Sequence, residues 1–506
     1  MITRLCAALV LTWAAAPPVQ AGTPRQAAAV EAAARAALPE FIDFLKIPNV
    51  AHQPGPHMRR NADWAEAAFR KRGFSTRQLE DGDTPMVFAE FPGAAAGART
   101  VLFYAHMDGQ AAFPKEWSQP DPFAPVLRAR GADGALRDLP IERLTAGPVD
   151  PEWRLFGRST ADDKGPILML LAAMDAVKAQ GETPAIRVKV ILDSHEEGGP
   201  PTLKDVVAAN AELLKADAVV MLDGPMHDTN RPTLVFGHRG GAGFSLTVFG
   251  APEELHSGHY GNFAPNPAFG LAALIASMKD ADGRVLIPGF YEGVATDAAS
   301  VAARAAVPDD EAALKARLGI ARTEALGANY QEAMAYPTLN VTEMKAGEPG
   351  SRRSIIPAFA TASFDSRTVP GTPPARQLAL VKAWVADQGY HLVDGEPTAE
   401  ERATYPLLAS VKGGGGAPAL QTPLDAPVGV WARKALVNEF GEEPVRIPIM
   451  GGGVPTKPLI DGLHAPILLI PLVNRDNNQH AANENLRMGN YFDGVRSLRA
   501  LVMTPY

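Results

Sequence analysis

Cysteine is nearly missing from this sequence: among 506 residues only Cys6 carries a thiol. A single thiol makes no intrachain disulfide and no thiolate-rich metal site, so any metal must rest on His, Asp or Glu. Long basic runs are missing too. With 48 Lys and Arg against 56 Asp and Glu, the formal net charge is −8, which argues against a nucleic-acid partner or an anionic membrane surface. Beyond the first 21 residues no run is long and apolar enough to span a bilayer. What remains is ordinary globular composition, 46% hydrophobic and 21% charged. The length exceeds what one hydrophobic core supports, so at least two domains are expected.

Residues 1–21 read as a signal peptide. Arg4 supplies the positive start, residues 5–16 are apolar, Pro17-Pro18 ends the run, and Val19-Gln20-Ala21 offers a small-residue cleavage site. The expectation is an exported protein, periplasmic or secreted. Cys6 lies within the leader, so the mature chain has no thiol, which suits an oxidising compartment.

After the leader, residues 25–45 and 61–72 carry helical periodicity, the second with Asn61 or Asp63 as a cap. Apolar strand-like runs at 100–105, 186–192 and 218–222 then alternate with a helical stretch at 165–178. That alternation predicts an α/β fold, a mostly parallel central sheet covered by helices. Polar residues gather past the carboxyl ends of these strands, where open α/β sheets place their ligands. The character changes after Arg239-Gly240-Gly241, with strands expected at 243–249, 338–341 and 358–364 and a helix at 267–279. The predicted division is a first catalytic part over 22–240, an inserted α+β domain over 241–410, and a second catalytic part over 411–506. The four glycines within 412–418 form the linker back, followed by a helix at 428–440 and an apolar run at 467–472.

Five polar clusters carry the chemistry. His106-Met107-Asp108 ends a strand, and residues two apart on an extended chain face the same way, so Asp108 is placed to fix the imidazole. Asp162-Asp163-Lys164-Gly165 opens a helix, and adjacent carboxylates repel unless a cation sits nearby. His195-Glu196-Glu197 follows an apolar strand rather than a solvated helix face. Asp223 ends another strand, and His480 follows the polar loop 474–479. Taken singly, each has a plain structural reading as a cap, a salt bridge or a loop residue. Together, two imidazoles and several carboxylates on separate strand ends make the ligand set of a two-metal hydrolytic site.

In this order and along nearly the whole chain after the leader, these motifs make the sequence similar to the acetylornithine deacetylase, succinyl-diaminopimelate desuccinylase and carnosinase family of two-metal hydrolases. Within it the carnosinase and cytosolic non-specific dipeptidase branch is most resembled. The resemblance implies a zinc-exopeptidase-like catalytic domain with an inserted dimerisation or lid domain. It implies that His106 and Asp223 hold one metal, Glu197 and His480 the other, and Asp162 bridges them, with a cis peptide after Asp162. Asp108 becomes the orienting acid and Glu196 the general base. His256, in Leu255-His256-Ser257-Gly258, is implied to reach the partner subunit's site and stabilise an oxyanion, and Arg367 to grip the substrate carboxylate. Ser354 is a further substrate contact. Gly453 stands where the dipeptidases usually carry Ser, leaving backbone N–H groups for that task. The stretch 122–154 is longer than in typical relatives and lies between two ligand loops, where it is placed to shape access.

The expected activity is metal-dependent hydrolysis of the amide bond of dipeptides or small peptides with a free C-terminal carboxylate, by a homodimer. The cofactors are two divalent ions per subunit, zinc first, with manganese and cobalt suited to the same ligands. The alternatives are a deacylase of N-acyl amino acids and a non-catalytic periplasmic binding protein on the same fold. A substrate panel separates the first, and absence of any turnover would favour the second.

Overall fold

The computed structural model describes residues 24–51, 56–80, 84–198, 202–347 and 353–506; the leader read over 1–21 lies outside them. Eight strands form the central sheet, in the spatial order Ser75–Leu79, Met86–Glu90, Arg187–Asp193, Thr100–His106, Ala218–Met221, Ile467–Leu469, Thr233–Val235, Val445–Ile447. The strands from Arg187–Asp193 to Ile467–Leu469 run parallel to one another. Both flanks reverse: Ser75–Leu79 and Met86–Glu90 pair antiparallel, Met86–Glu90 is antiparallel to Arg187–Asp193, and Thr233–Val235 is antiparallel to Ile467–Leu469. The sheet is thus mixed: its centre is parallel, as expected, and antiparallel pairings join the flanks to it. The chain between Leu79 and Met86 is too short for a parallel crossover, which needs roughly a dozen residues.

Why the central strands read as unbroken apolar runs is visible in their burial. Val101, Phe103 and Ala105 join one core while Leu102 and Tyr104 join the other. Val190 and Ile191 split in the same way, as do Val220 and Val219. Alternate residues of a strand face opposite sides, so a sheet covered on both faces needs apolar residues at every position. The first core is closed by Pro24–Leu45, Lys164–Ala179 and Met488–Met503. Lys164–Ala179 is buried along most of its length. The second helix begins earlier than predicted, at Pro56. Asn61 is therefore not a cap; it is buried inside the helix, and its amide donates to Pro48 O at 2.9 Å and His57 O at 2.8 Å.

The inserted domain is built on a second sheet, ordered Asn340–Ala346, Phe359–Thr368, Gly240–Phe249, Leu408–Gly413, His391–Leu392. Gly240–Phe249 pairs with Phe359–Thr368 in unbroken register from Gly240↔Thr368 to Phe249↔Phe359. Phe244, Leu246 and Val248 face a third core with Ala360, Ala362 and Phe364, covered by Pro267–Met278 and Pro374–Asp387. The sheet's last long strand ends at Gly413, so it uses the first of the four glycines expected as linker.

The long stretch 122–154 forms a hairpin, Val126–Arg130 with Leu136–Leu139, that joins Arg154–Phe156 and Asn485–Arg487 in a four-stranded sheet. From it Arg154 reaches Asp476 at 2.8 Å and Asn485 at 2.8 Å. This small sheet, through Arg154, therefore braces the loop carrying His480. Among the described residues no helix is long and apolar enough to cross a membrane.

Candidate metal centre and active-site cleft

The parallel strands deliver their carboxyl ends to one place. His106 is the last residue of its strand, Glu196 and Glu197 follow Asp193, Asp223 follows Met221, and His480 lies on the loop beyond Leu469. Asp162 enters from the turn before Lys164–Ala179, and the peptide joining Asp162 to Asp163 is cis. Ligand atoms of His106, Asp162 and Asp223 converge within 4.8 Å of one another, and so do those of Asp162, Glu197 and His480. Asp162 belongs to both groups. Its Oδ1 lies 2.9 Å from His106 Nε2, and its Oδ2 lies 3.1 Å from His480 Nε2. Oδ2 is buried without a well-directed hydrogen bond. A buried anionic oxygen left so is costly unless a cation completes it. Imidazole and carboxylate are also the donors that suit zinc-like ions. The residues present fit a pair of divalent cations.

Around this centre stands a shell of supports. His106 Nδ1 faces the Asp108 main-chain oxygen at 3.1 Å and its carboxylate at 3.4 Å. The Asp108 carboxylate itself accepts from the backbone N–H groups of Glu196 at 3.2 Å and Glu197 at 2.8 Å. Asp108 thus ties the acidic loop to the strand bearing His106 as well as steering the ring. Gln110 donates to Glu197 at 2.7 Å. Glu484 is fully buried and accepts from the N–H groups of Ser159, Ala161 and Asp162, with Arg158 as its counter-ion at 2.9 Å. Asn49 fastens Met107 O and Ser159 Oγ together. Sequence reading passed over Gln110, Glu484 and Asn49, which carry no local signal.

The electrostatics record crowded anions. Burial pushes Asp223 up to about 6, with Asp162 and Asp108 adding to it against His106 and His480. Burial and Asp162 push Glu197 up to about 7, against the two imidazoles and Gln110. Glu196 rises to about 9 through burial, aided by Asp223, Glu197 and Asp108 and opposed by His106. Burial would lower His106, but its bonds to Asp108 and Asp162 hold it well above the usual imidazole value. Asp162 goes the other way: burial raises it, and both imidazoles outweigh burial and hold its carboxyl low. A cluster tuned this way is a functional site on physical grounds.

Asp162, Glu196, Asp223, His480 and Gly453 line one cleft of about 500 Å³. A Cβ on Gly453 would meet Arg239 O at 3.4 Å, so the glycine leaves room for a small side chain. The stretch 122–154 contributes no residue to the lining of that cleft. His256, Ser354 and Arg367 also lie outside its lining. His256 and Ser354 are exposed neighbours on the short ribbon of Leu255–His256 and Ile355–Ile356, where Ser257 N donates to Ser354 O at 2.9 Å. Gly258 N donates to His256 Nδ1 at 3.1 Å, which leaves the ring's proton on Nε2. Arg367 is half-exposed and bonds Asp365 at 3.1 Å.

Residues 236–392 match the model of a peptidase dimerisation domain. The chain is 28% identical over 452 residues to the Cys-Gly metallodipeptidase dug1 of Schizosaccharomyces pombe, covering 85% of each chain. It is 26% identical over 494 residues to the Beta-Ala-His dipeptidase of Homo sapiens, covering 92% of this chain and 90% of the relative. The M20 family metallo-carboxypeptidase Sso-CP2 from Sulfolobus solfataricus superposes with a TM-score of 0.70 at 25% identity, over 92% of this chain and 98% of that one. The mixed sheet, the dimerisation domain and the converging imidazoles and carboxylates have one common reading: the chain is a metallopeptidase, similar in fold to the M20 family metallo-carboxypeptidase.

Proposed function

We propose that the protein is an exported homodimer that hydrolyses the amide bond of dipeptides bearing a free C-terminal carboxylate. The carrying observation is Asp162, whose two oxygens face two separate imidazoles while Glu196 stands beside it in the cleft. When bound there, two divalent cations, zinc by preference, supply Lewis-acid polarisation of the scissile carbonyl and acidify the attacking water. His106 and Asp223 would hold one, Glu197 and His480 the other, and Asp162 would serve both. The Glu196 carboxylate accepts no hydrogen bond from a described residue, which leaves it free to take a proton from water and return it to the leaving amine. His256, with its proton on Nε2, is a donor for the developing oxyanion in the partner's site. Arg367 is the candidate for the terminal carboxylate. The edge strand Asn340–Ala346 is exposed along its whole length, a surface that a second copy of this domain would cover.

The test measures metal content and hydrolysis of a dipeptide panel and of N-acetyl amino acids, before and after chelation. The expected result is two ions per chain, dipeptide turnover lost on chelation and restored by zinc, and little action on the acetyl compounds. Glu196→Gln should keep both ions and lose about 10²–10⁴-fold in kcat. Undiminished turnover in that variant would overturn the assignment of the base.

A further inference from the structure

Beyond the residues of the metal centre, four more acids line the cleft, and each is engaged. Asp228 gives both oxygens to Arg317, at 3.2 Å each. Asp309 accepts from Gln331 at 2.8 Å and faces His227 Nε2 at 3.1 Å. Asp310 caps the helix Glu311–Leu318 by accepting from Ala313 N at 2.9 Å. Asp476 is held by Arg154 at 2.8 Å and Asn474 at 2.9 Å.

Arg475 lines the same cleft, on the loop that carries His480. Its guanidinium makes no hydrogen bond to a described residue; its one ion contact is to Asp228 Oδ1 at 3.9 Å, an oxygen already serving Arg317. The cleft therefore presents a half-exposed cation whose fork of donors is unspent. Guanidinium geometry matches a carboxylate in two parallel bonds, which an ammonium or a neutral amide does not reproduce.

We propose that Arg475 receives a carboxylate of the substrate's side chain, so that this peptidase favours dipeptides containing Asp or Glu. The inference rests on the dipeptidase reading above, in which Arg367 takes the terminal carboxylate. Arg317 has a positioning part: by occupying Asp228 it keeps Arg475 from being neutralised.

The zinc-loaded enzyme is assayed on Ala-Ala, Ala-Glu, Glu-Ala and Ala-Lys, as wild type, Arg475→Gln and Arg475→Glu, with thermal melts of each. The expected result is a wild-type preference for one acidic dipeptide over Ala-Ala. That ratio of kcat/KM should fall about tenfold in Arg475→Gln, mainly through KM. Arg475→Glu should move the preference toward Ala-Lys. An unchanged ratio overturns the inference. An equal loss on Ala-Ala and Ala-Glu also overturns it, because Arg475 would then hold the terminal carboxylate common to all dipeptides. If the wild type cleaves none of the four, the dipeptidase reading fails and this inference falls with it.

Discussion

Asp223 and Glu197 show what the cleft costs the empty fold. In the metal-free protein they keep their protons to about 6 and about 7, above the ordinary 3.8 and 4.5 of unfolded carboxyls. A folded-state pKa raised in this way adds stability that is full below the unfolded value and lost as pH rises through the folded one. Stability of the chelated protein should therefore decline between about pH 4 and about pH 7, by roughly 1.4 kcal/mol per pH unit for each excess proton the fold holds. His480, raised to about 9 by its bond to Asp162, extends the loss above pH 7. Asp162 is lowered, so its contribution disappears only as pH falls through the acid range, outside that window. Zinc takes the deprotonated ligands and should reverse the trend. Urea midpoints at pH 5, 7 and 9, with and without chelator, check this; a stripped protein most stable at pH 9 would contradict the charge assignment.

The helix Lys164–Ala179 and its entry turn act as one element. A Cβ on Gly165 would stand 2.3 Å from Thr160 O, inside the turn that places Asp162. Gly165→Ala should therefore shift that turn, cost about 1–3 kcal/mol and weaken metal binding, readable by a thermal melt and a zinc titration. A variant with wild-type affinity would show that the turn is not held by this close approach. At this scale the sequence was most legible where a segment had one physical reason to exist. The strands Thr100–His106 and Arg187–Asp193 are apolar at nearly every position because helices cover both faces, and the polar residues at their ends stand out against that background. Legibility failed where partners are distant. Glu484 holds the 159–162 turn across more than 300 residues, and nothing near it in the chain marks the role. The flanking hairpin at Ser75–Glu90 was missed as antiparallel, although its short connection dictated it.

The two domains divide the work. His106, Asp162, Glu196, Glu197, Asp223 and His480 gather in one cleft region, while His256, Ser354 and Arg367 sit on the other domain and outside that lining. If a partner completes the site, Glu196→Gln and His256→Ala should each be nearly inactive alone, yet mixing and exchanging subunits should return up to about a quarter of wild-type turnover, because each mixed dimer rebuilds one intact site. No recovery despite proven exchange would place His256 outside the chemistry. Sedimentation supplies the check on assembly. The sheet order also sets a schedule for the chain. Ile467–Leu469 inserts between Ala218–Met221 and Thr233–Val235, and only the loop beyond it brings His480 to Asp162. During synthesis the strand that His106 ends is translated long before the loop that carries His480. A growing chain that lacks that loop can grip at most half of its metal, so cutting power has to wait for the second imidazole.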